Sequence, residues 1–175
     1  MKYIAIHHSG VSRKNNSNQF WSINAYHKEK FNMKSRLGLY GGYNFLIEPN
    51  GDIKQYREVG EETAAQKGHN HDAISICLTG DFNIEMPTDE QINTLRGKIL
   101  SLKNSFAIPL SHILPHRELQ ENRTCYGNLL ADDWAQKLIE RPLEPLEDMK
   151  KKELLKYQLS LLQKLLELLK QLKGR

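Results

Sequence analysis

Ala73-Ile74-Ser75-Ile76-Cys77-Leu78 is a run of β-formers that stops at Gly80, and it reads as a strand. Downstream, Thr88-Asp89-Glu90-Gln91 has the form of a capping box: the threonine caps the amide three residues on, and the glutamine reaches back. The helix it opens carries Ile92, Leu95, Ile99 and Leu102 at helical spacing. Ile113-Leu114 is a brief strand, and 128–140 reads as a last domain helix. Upstream, Tyr43-Asn44-Phe45-Leu46-Ile47 and Ile53-Lys54-Gln55-Tyr56 are strand-like, with the hairpin signal Asn50-Gly51 between them. Residues 18–30 form a helix with Phe20, Ile23 and His27 on one face, and Tyr3-Ile4-Ala5-Ile6-His7-His8 is a first strand. Strands interleaved with helices, plus one hairpin, predict an α/β domain: a mixed central β-sheet flanked by helices.

The domain ends visibly. Arg141-Pro142-Leu143-Glu144-Pro145 holds two prolines in four residues, and neither fits inside a helix. Before it lie all seven histidines and both cysteines; after it lies a leucine-, lysine- and glutamine-rich segment. The expected organisation is a domain over 1–141, a proline linker over 142–146, and an appended C-terminal amphipathic leucine-rich helix over 147–175.

Within 175 residues, 39% are hydrophobic and 26% charged, a globular balance. Two cysteines cannot make a disulfide scaffold. No stretch approaches about 18 uninterrupted apolar residues, so no membrane-spanning helix is expected. The apolar start, 1–6, is too short for a signal-peptide core, and synthesis in the cytoplasm is the expectation. The net charge of +4 divides unevenly: residues 150–175 hold eight basic and two acidic side chains, leaving 1–149 at −2. A nucleic-acid-binding body would carry its basic footprint on the folded domain, so no nucleic-acid partner is expected.

Seven histidines and a cysteine after a histidine call for a metal test. Zn²⁺ takes imidazole and thiolate ligands, and a catalytic site uses three of them. The candidates are His7 or His8, His112 or His116, and Cys125. Only His116 and Cys125 are close in sequence, and there is no Cys-x-x-Cys. On spacing alone these remain surface histidines and an ordinary thiol.

Five motifs in order change that reading. Ile6-His7-His8-Ser9-Gly10 resembles the opening zinc-ligand motif of the type 2 N-acetylmuramoyl-L-alanine amidases. That superfamily includes amidase-type phage lysozymes and peptidoglycan recognition proteins. Ala25-Tyr26-His27-Lys28 resembles its first-helix signature. Residues Gly42-Tyr43-Asn44-Phe45-Leu46-Ile47 and Asn50-Gly51-Asp52-Ile53 resemble its "GYHF-I-DGT" strand and hairpin. Asn70 to Gly80 resembles "N-SIG-L-G", and His116-Arg117-Glu118 with Cys125-Tyr126-Gly127 resembles "HRD…CPG".

The resemblance implies a zinc amidase cutting the bond between N-acetylmuramic acid and L-alanine in peptidoglycan, as endolysins do. Its zinc ligands would be His7, His116 and Cys125, and zinc brings the pKa of its water to about 7. Tyr43 matches the family tyrosine near the metal water and would donate to the developing oxyanion. Arg123 stands where relatives carry Lys or Thr; always charged, it is assigned electrostatic stabilisation. His8 would face the other side of the strand. Departures from the family pattern accompany these assignments. The His116-to-Cys125 segment is one residue longer than in relatives, so Arg123 or Thr124 would face the metal. Tyr126 replaces a proline, predicting a looser turn. Cys77, where some amidases carry a glutamate, is expected to be a buried thiol. Ala65 stands at the family's "H-x-x-G" histidine; compensation by His69 or His71 is the alternative, and both are expected to be loop residues. The alternative is a non-catalytic muropeptide-binding module of the same fold; such modules commonly lack the ligand cysteine.

In the tail, Leu155, Leu159, Leu162, Leu166 and Leu169 form a heptad seam. Leu161, Leu165, Leu168 and Leu172 form a second stripe beside it. A coiled coil, and so a homo-oligomer, is the first expectation. Membrane-surface contact through the lysines is the second.

Overall fold

The computed structural model describes residues 1–14, 18–121, 124–140 and 146–173. The chain divides into two compact units, Met1–Glu140 and Arg141–Arg175. In the first, β1 (Tyr3–His8), α1 (Phe20–Phe31), β2 (Phe45–Ile47), β3 (Ile53–Gln55) and β4 (Ala73–Leu78) come in order. They are followed by α2 (Asp89–Phe106), a 3-10 turn (Leu110–His112), β5 (Ile113–Pro115), α3 (His116–Leu119) and α4 (Trp134–Glu140). The five strands form one sheet in the order β3-β2-β4-β1-β5. All neighbours are parallel except the β2–β3 hairpin, so the sheet is mixed, as the sequence predicts.

Strand alternation divides the sheet into two faces. Ile4, Ile6, Ile74, Ile76 and Leu78 are fully buried with Leu95 and Ile99 of α2, and with Ala135 and Leu138 of α4. The intervening residues face the other way. There Leu46, Tyr56 and Cys77 pack with Phe20 and Ile23 of α1. His7, Ser75 and Cys77 therefore share the α1 face, and His8 lies on the opposite one.

Local chemistry sets most boundaries. Thr88 makes the full capping box with Gln91 at the start of α2. Gly51, at φ +84°, turns the hairpin in the left-handed region that glycine favours. Helix α1 begins at Phe20, two residues later than predicted, because the buried Glu48 carboxylate receives the Gln19 and Phe20 amides. Helix α4 begins at Trp134 rather than near residue 128. The Arg117 guanidinium takes the Gly127 and Leu130 carbonyls, and the Tyr126 hydroxyl donates to Ala131 O. Those carbonyls are held in a turn and do not start a helix.

In the second unit, α5 (Leu146–Lys173) is one continuous helix. Its Leu154, Leu155, Leu159, Leu161, Leu162, Leu165 and Leu166 are exposed. No helix among the described residues is long and apolar enough to cross a membrane. The predicted linker falls almost wholly on residues outside the described ones.

Candidate metal centre

Register builds the site. β1 and β5 run parallel with Ile6 opposite Pro115, so the next residues, His7 and His116, emerge side by side at the carboxyl ends of their strands. Their ring centroids are 4.6 Å apart. The turn after α3 returns Cys125 to the same point. Its Sγ lies 3.7 Å from His7 Nδ1 and receives the His8 backbone amide at 3.3 Å. One ligand atom from each of His7, His116 and Cys125 lies within 4.8 Å of the others. A tetrahedral zinc with Zn–S about 2.3 Å and Zn–N about 2.0 Å sets N and S about 3.5 Å apart. The donor set and its spacing fit that ion.

Electrostatics keeps these groups ready to ligate. Burial, and then the neighbouring His116, hold His7 well below the usual imidazole range. It is therefore neutral and keeps a lone pair. Cys77, behind the site, is pushed up by burial and then by Cys125, and is the buried thiol the sequence predicts.

Tyr43 is half-buried, its ring centroid 5.1 Å from that of His7 and 5.4 Å from that of His27. It packs against the buried cluster of Leu46, Tyr56 and Cys77. Burial, then Cys77 and Cys125, raise its pKa well above the usual phenol value, so it stays a donor. His27, buried on α1, accepts the Gly42 amide at 2.8 Å, and burial lowers it to about 4. Gly42 is a close approach: a Cβ there would stand 2.8 Å from the Ala64 carbonyl oxygen.

The other histidines go elsewhere. His8 is buried on the far face, where its Nδ1 accepts the Phe82 amide at 3.0 Å. His112 stacks on Tyr3 and meets the Lys2 carbonyl. His69 bonds Asp72 at 3.1 Å, and His71 is exposed. Neither replaces the missing histidine at position 65. Arg123 lies outside the described residues. Thr124 is exposed, and its carbonyl accepts the Gly127 amide at 2.7 Å. The turn after Cys125 is not loose, contrary to expectation: Tyr126 is fully buried and Arg117 N donates to Cys125 O at 2.9 Å. Two residues at the site escaped the sequence reading, Gln66 and Gln120. Each places a carboxamide oxygen on a site histidine, at 3.1 Å from His7 Nε2 and 2.9 Å from His116 Nε2.

An α/β sheet with a His-His-Cys cluster at its carboxyl edge defines a class of metal-site fold, and comparison with known proteins makes the assignment. Residues 1–128 match the N-acetylmuramoyl-L-alanine amidase family model, and the chain belongs to that family. Among curated proteins it is similar to peptidoglycan-recognition protein 2 of Holotrichia diomphalia, 28% identical over 97 residues. That match takes in 53% of this chain and spans about half, 49%, of the relative's length. Among solved structures it is similar to the N-acetylmuramoyl-L-alanine amidase LysC from Clostridium intestinale URNW. There the identity is 26% and the TM-score 0.61, over 73% of this chain and 76% of that one. A mutant of Drosophila PGRP-LB in complex with tracheal cytotoxin shares the fold, at 23% identity and a TM-score of 0.60. That likeness covers 73% of this chain and 76% of the other.

Proposed function

We propose that the chain is a zinc-dependent amidase that cleaves the N-acetylmuramic acid–L-alanine bond of peptidoglycan. The observation that carries this reading is the convergence of His7, His116 and Cys125 within 4.8 Å in a member of the amidase family. Zinc, when bound, supplies a Lewis acid for the scissile carbonyl and activates water. The chain's own residues do the rest. His7 presents a neutral imidazole, with His116 beside it. The His8 amide directed at Cys125 Sγ favours the thiolate over the thiol. Tyr43, protonated and beside His7, donates a hydrogen bond to oxygen as negative charge develops there. Arg123 adds a fixed positive charge. Synthesised in the cytoplasm, the protein acts once it reaches the wall.

Metal content and muropeptide hydrolysis measured together, with and without a chelator, test the reading. One equivalent of zinc, and release of stem peptide that stops on chelation and returns with zinc, is the expected result. Zinc without hydrolysis would favour the muropeptide-binding module. The presence of Cys125 favours the enzyme.

For α5 the partner is an anionic lipid surface. At about 100° per residue, Leu154, Leu155, Leu159, Leu161, Leu162, Leu165 and Leu166 cover about 160° of the helix, interrupted by Gln158. That is wider than a coiled-coil seam. Lys164 and Lys170 flank this arc on its two sides, as in helices that lie in a membrane interface. With seven basic and four acidic residues over Leu146–Lys173, the helix carries a net positive charge that favours an anionic surface. The full chain should float with anionic vesicles and not with neutral ones. A molar mass that doubles with concentration, without vesicle binding, would return the helix to the coiled-coil reading.

A further inference from the structure

The loop between β3 and β4 supplies none of the three ligands, yet it meets the His7 imidazole directly and that of His116 through Gln120. Gln66 on that loop is fully buried. Its Nε2 donates to Thr63 Oγ1 at 3.0 Å and to the His69 carbonyl at 3.3 Å. A carbonyl oxygen only accepts, so the amide nitrogen of Gln66 must face it and the amide oxygen must face away. That oxygen, Oε1, receives the Ser75 hydroxyl at 2.7 Å and lies 3.1 Å from His7 Nε2. Because Oε1 is an acceptor, His7 Nε2 carries the hydrogen. The lone pair is then on Nδ1, the atom 3.7 Å from Cys125 Sγ.

The next residue repeats the logic for the second histidine. The Lys67 backbone amide donates to Gln120 Oε1 at 2.9 Å. A backbone amide only donates, which orients the Gln120 carboxamide. His116 Nε2 lies 2.9 Å from the same oxygen, so it too carries the hydrogen. Asn70 holds the loop in shape, its Oδ1 receiving the Ala65 and Gln66 amides at 3.1 and 2.9 Å.

We infer that Gln66 and Gln120 are positioning residues, through which the Thr63–Asn70 loop sets both site histidines in the Nε2–H tautomer, aiming Nδ1 of each at one ion. The inference rests on the zinc-site reading above. It also explains how the chain manages with Ala65: the neighbouring glutamine, not His69 or His71, reaches the site. Outer partners that orient ligating imidazoles are worth about 10–100-fold in metal affinity.

The test has two arms on the full chain. In the first, long-range ¹H–¹⁵N correlations on the metal-free protein read the tautomers of His7 and His116. Both should be Nε2–H in the wild type, and an Nδ1–H form of either would overturn the inference whether or not zinc binds. In the second, zinc affinity is measured by competition with a chromophoric chelator, beside thermal unfolding. Gln66→Ala and Gln120→Ala should each bind zinc about 10–100-fold more weakly. Gln120→Glu keeps an acceptor for both Lys67 N–H and His116, and should stay within a few-fold of wild type. If Gln66→Ala does not fold, the half-buried Gln120 still decides. Unchanged zinc affinity in folded Gln120→Ala, or no recovery in Gln120→Glu, would overturn the inference. A wild type that binds no zinc would instead sink the proposed function, and the tautomer arm would still decide whether the loop orients the imidazoles.

Discussion

Cys125 Sγ and His7 Nδ1 stand 3.7 Å apart across 118 positions of sequence. Nothing local brings them together. The parallel pairing of β1 with β5 delivers the histidines, and the turn beyond α3 returns the cysteine.

Replacing Cys125 by alanine removes the sulfur ligand and, within the sheet, takes away only the acceptor of the His8 amide. The variant should fold with near wild-type far-UV dichroism, retain less than a tenth of an equivalent of zinc after dialysis (roughly, from the loss of one of three ligands), and show no hydrolysis. Undiminished hydrolysis by Cys125→Ala would sink the amidase mechanism.

Tyr43→Phe keeps the ring beside His7 and deletes only the donor. Its kcat should fall about a hundredfold, the usual loss for one oxyanion donor, with KM and zinc content little changed. Loss of zinc in this variant would show that the tyrosine supports the ligands and not the reaction.

His27 makes the metal-free protein acid-sensitive. Its folded pKa is lowered to about 4, below the unfolded value of about 6.5. Its contribution is therefore complete above about pH 6.5. Below that, the unfolded chain takes up a proton that the folded chain refuses, so stability falls until about pH 4. The loss reaches about 3 kcal/mol at most. Urea midpoints across this range should fall steeply for wild type and less for His27→Gln.

Glu48 joins two elements far apart in sequence. Buried, it accepts the Gln19 and Phe20 amides and the Thr79 hydroxyl, capping the positive end of α1 from the sheet. Glu48→Ala leaves three donors without an acceptor and should cost about 3 kcal/mol, read as a lower urea midpoint with an unchanged m-value.

What the sequence reveals about this molecule follows from the range of its interactions. β1 and β4 are legible because consecutive apolar residues signal strands buried on both faces. The hairpin and α2 are legible because turn and cap chemistry is local. The cluster of His7, His116 and Cys125 is visible only through the order of five motifs, since spacing alone left the metal open. Gln66 and Gln120 are invisible, because a glutamine in a polar loop looks like surface until its amide is seen lodged between a carbonyl and an imidazole. The late start of α4 is hidden for a similar reason: Arg117, thirteen residues before Leu130, claims the carbonyls.

An interior strand of the sheet, β1, is the first one made. β1 pairs with β4 and β5, and as the chain leaves the ribosome it must wait for residues 113–115 before its second edge is covered. The three donors complete their set only when Cys125 has emerged. On the zinc-site reading proposed above, a nascent chain stalled before that point holds two of the three ligands, and of the domain's elements only α4 (Trp134–Glu140) is still to be made once the set is complete.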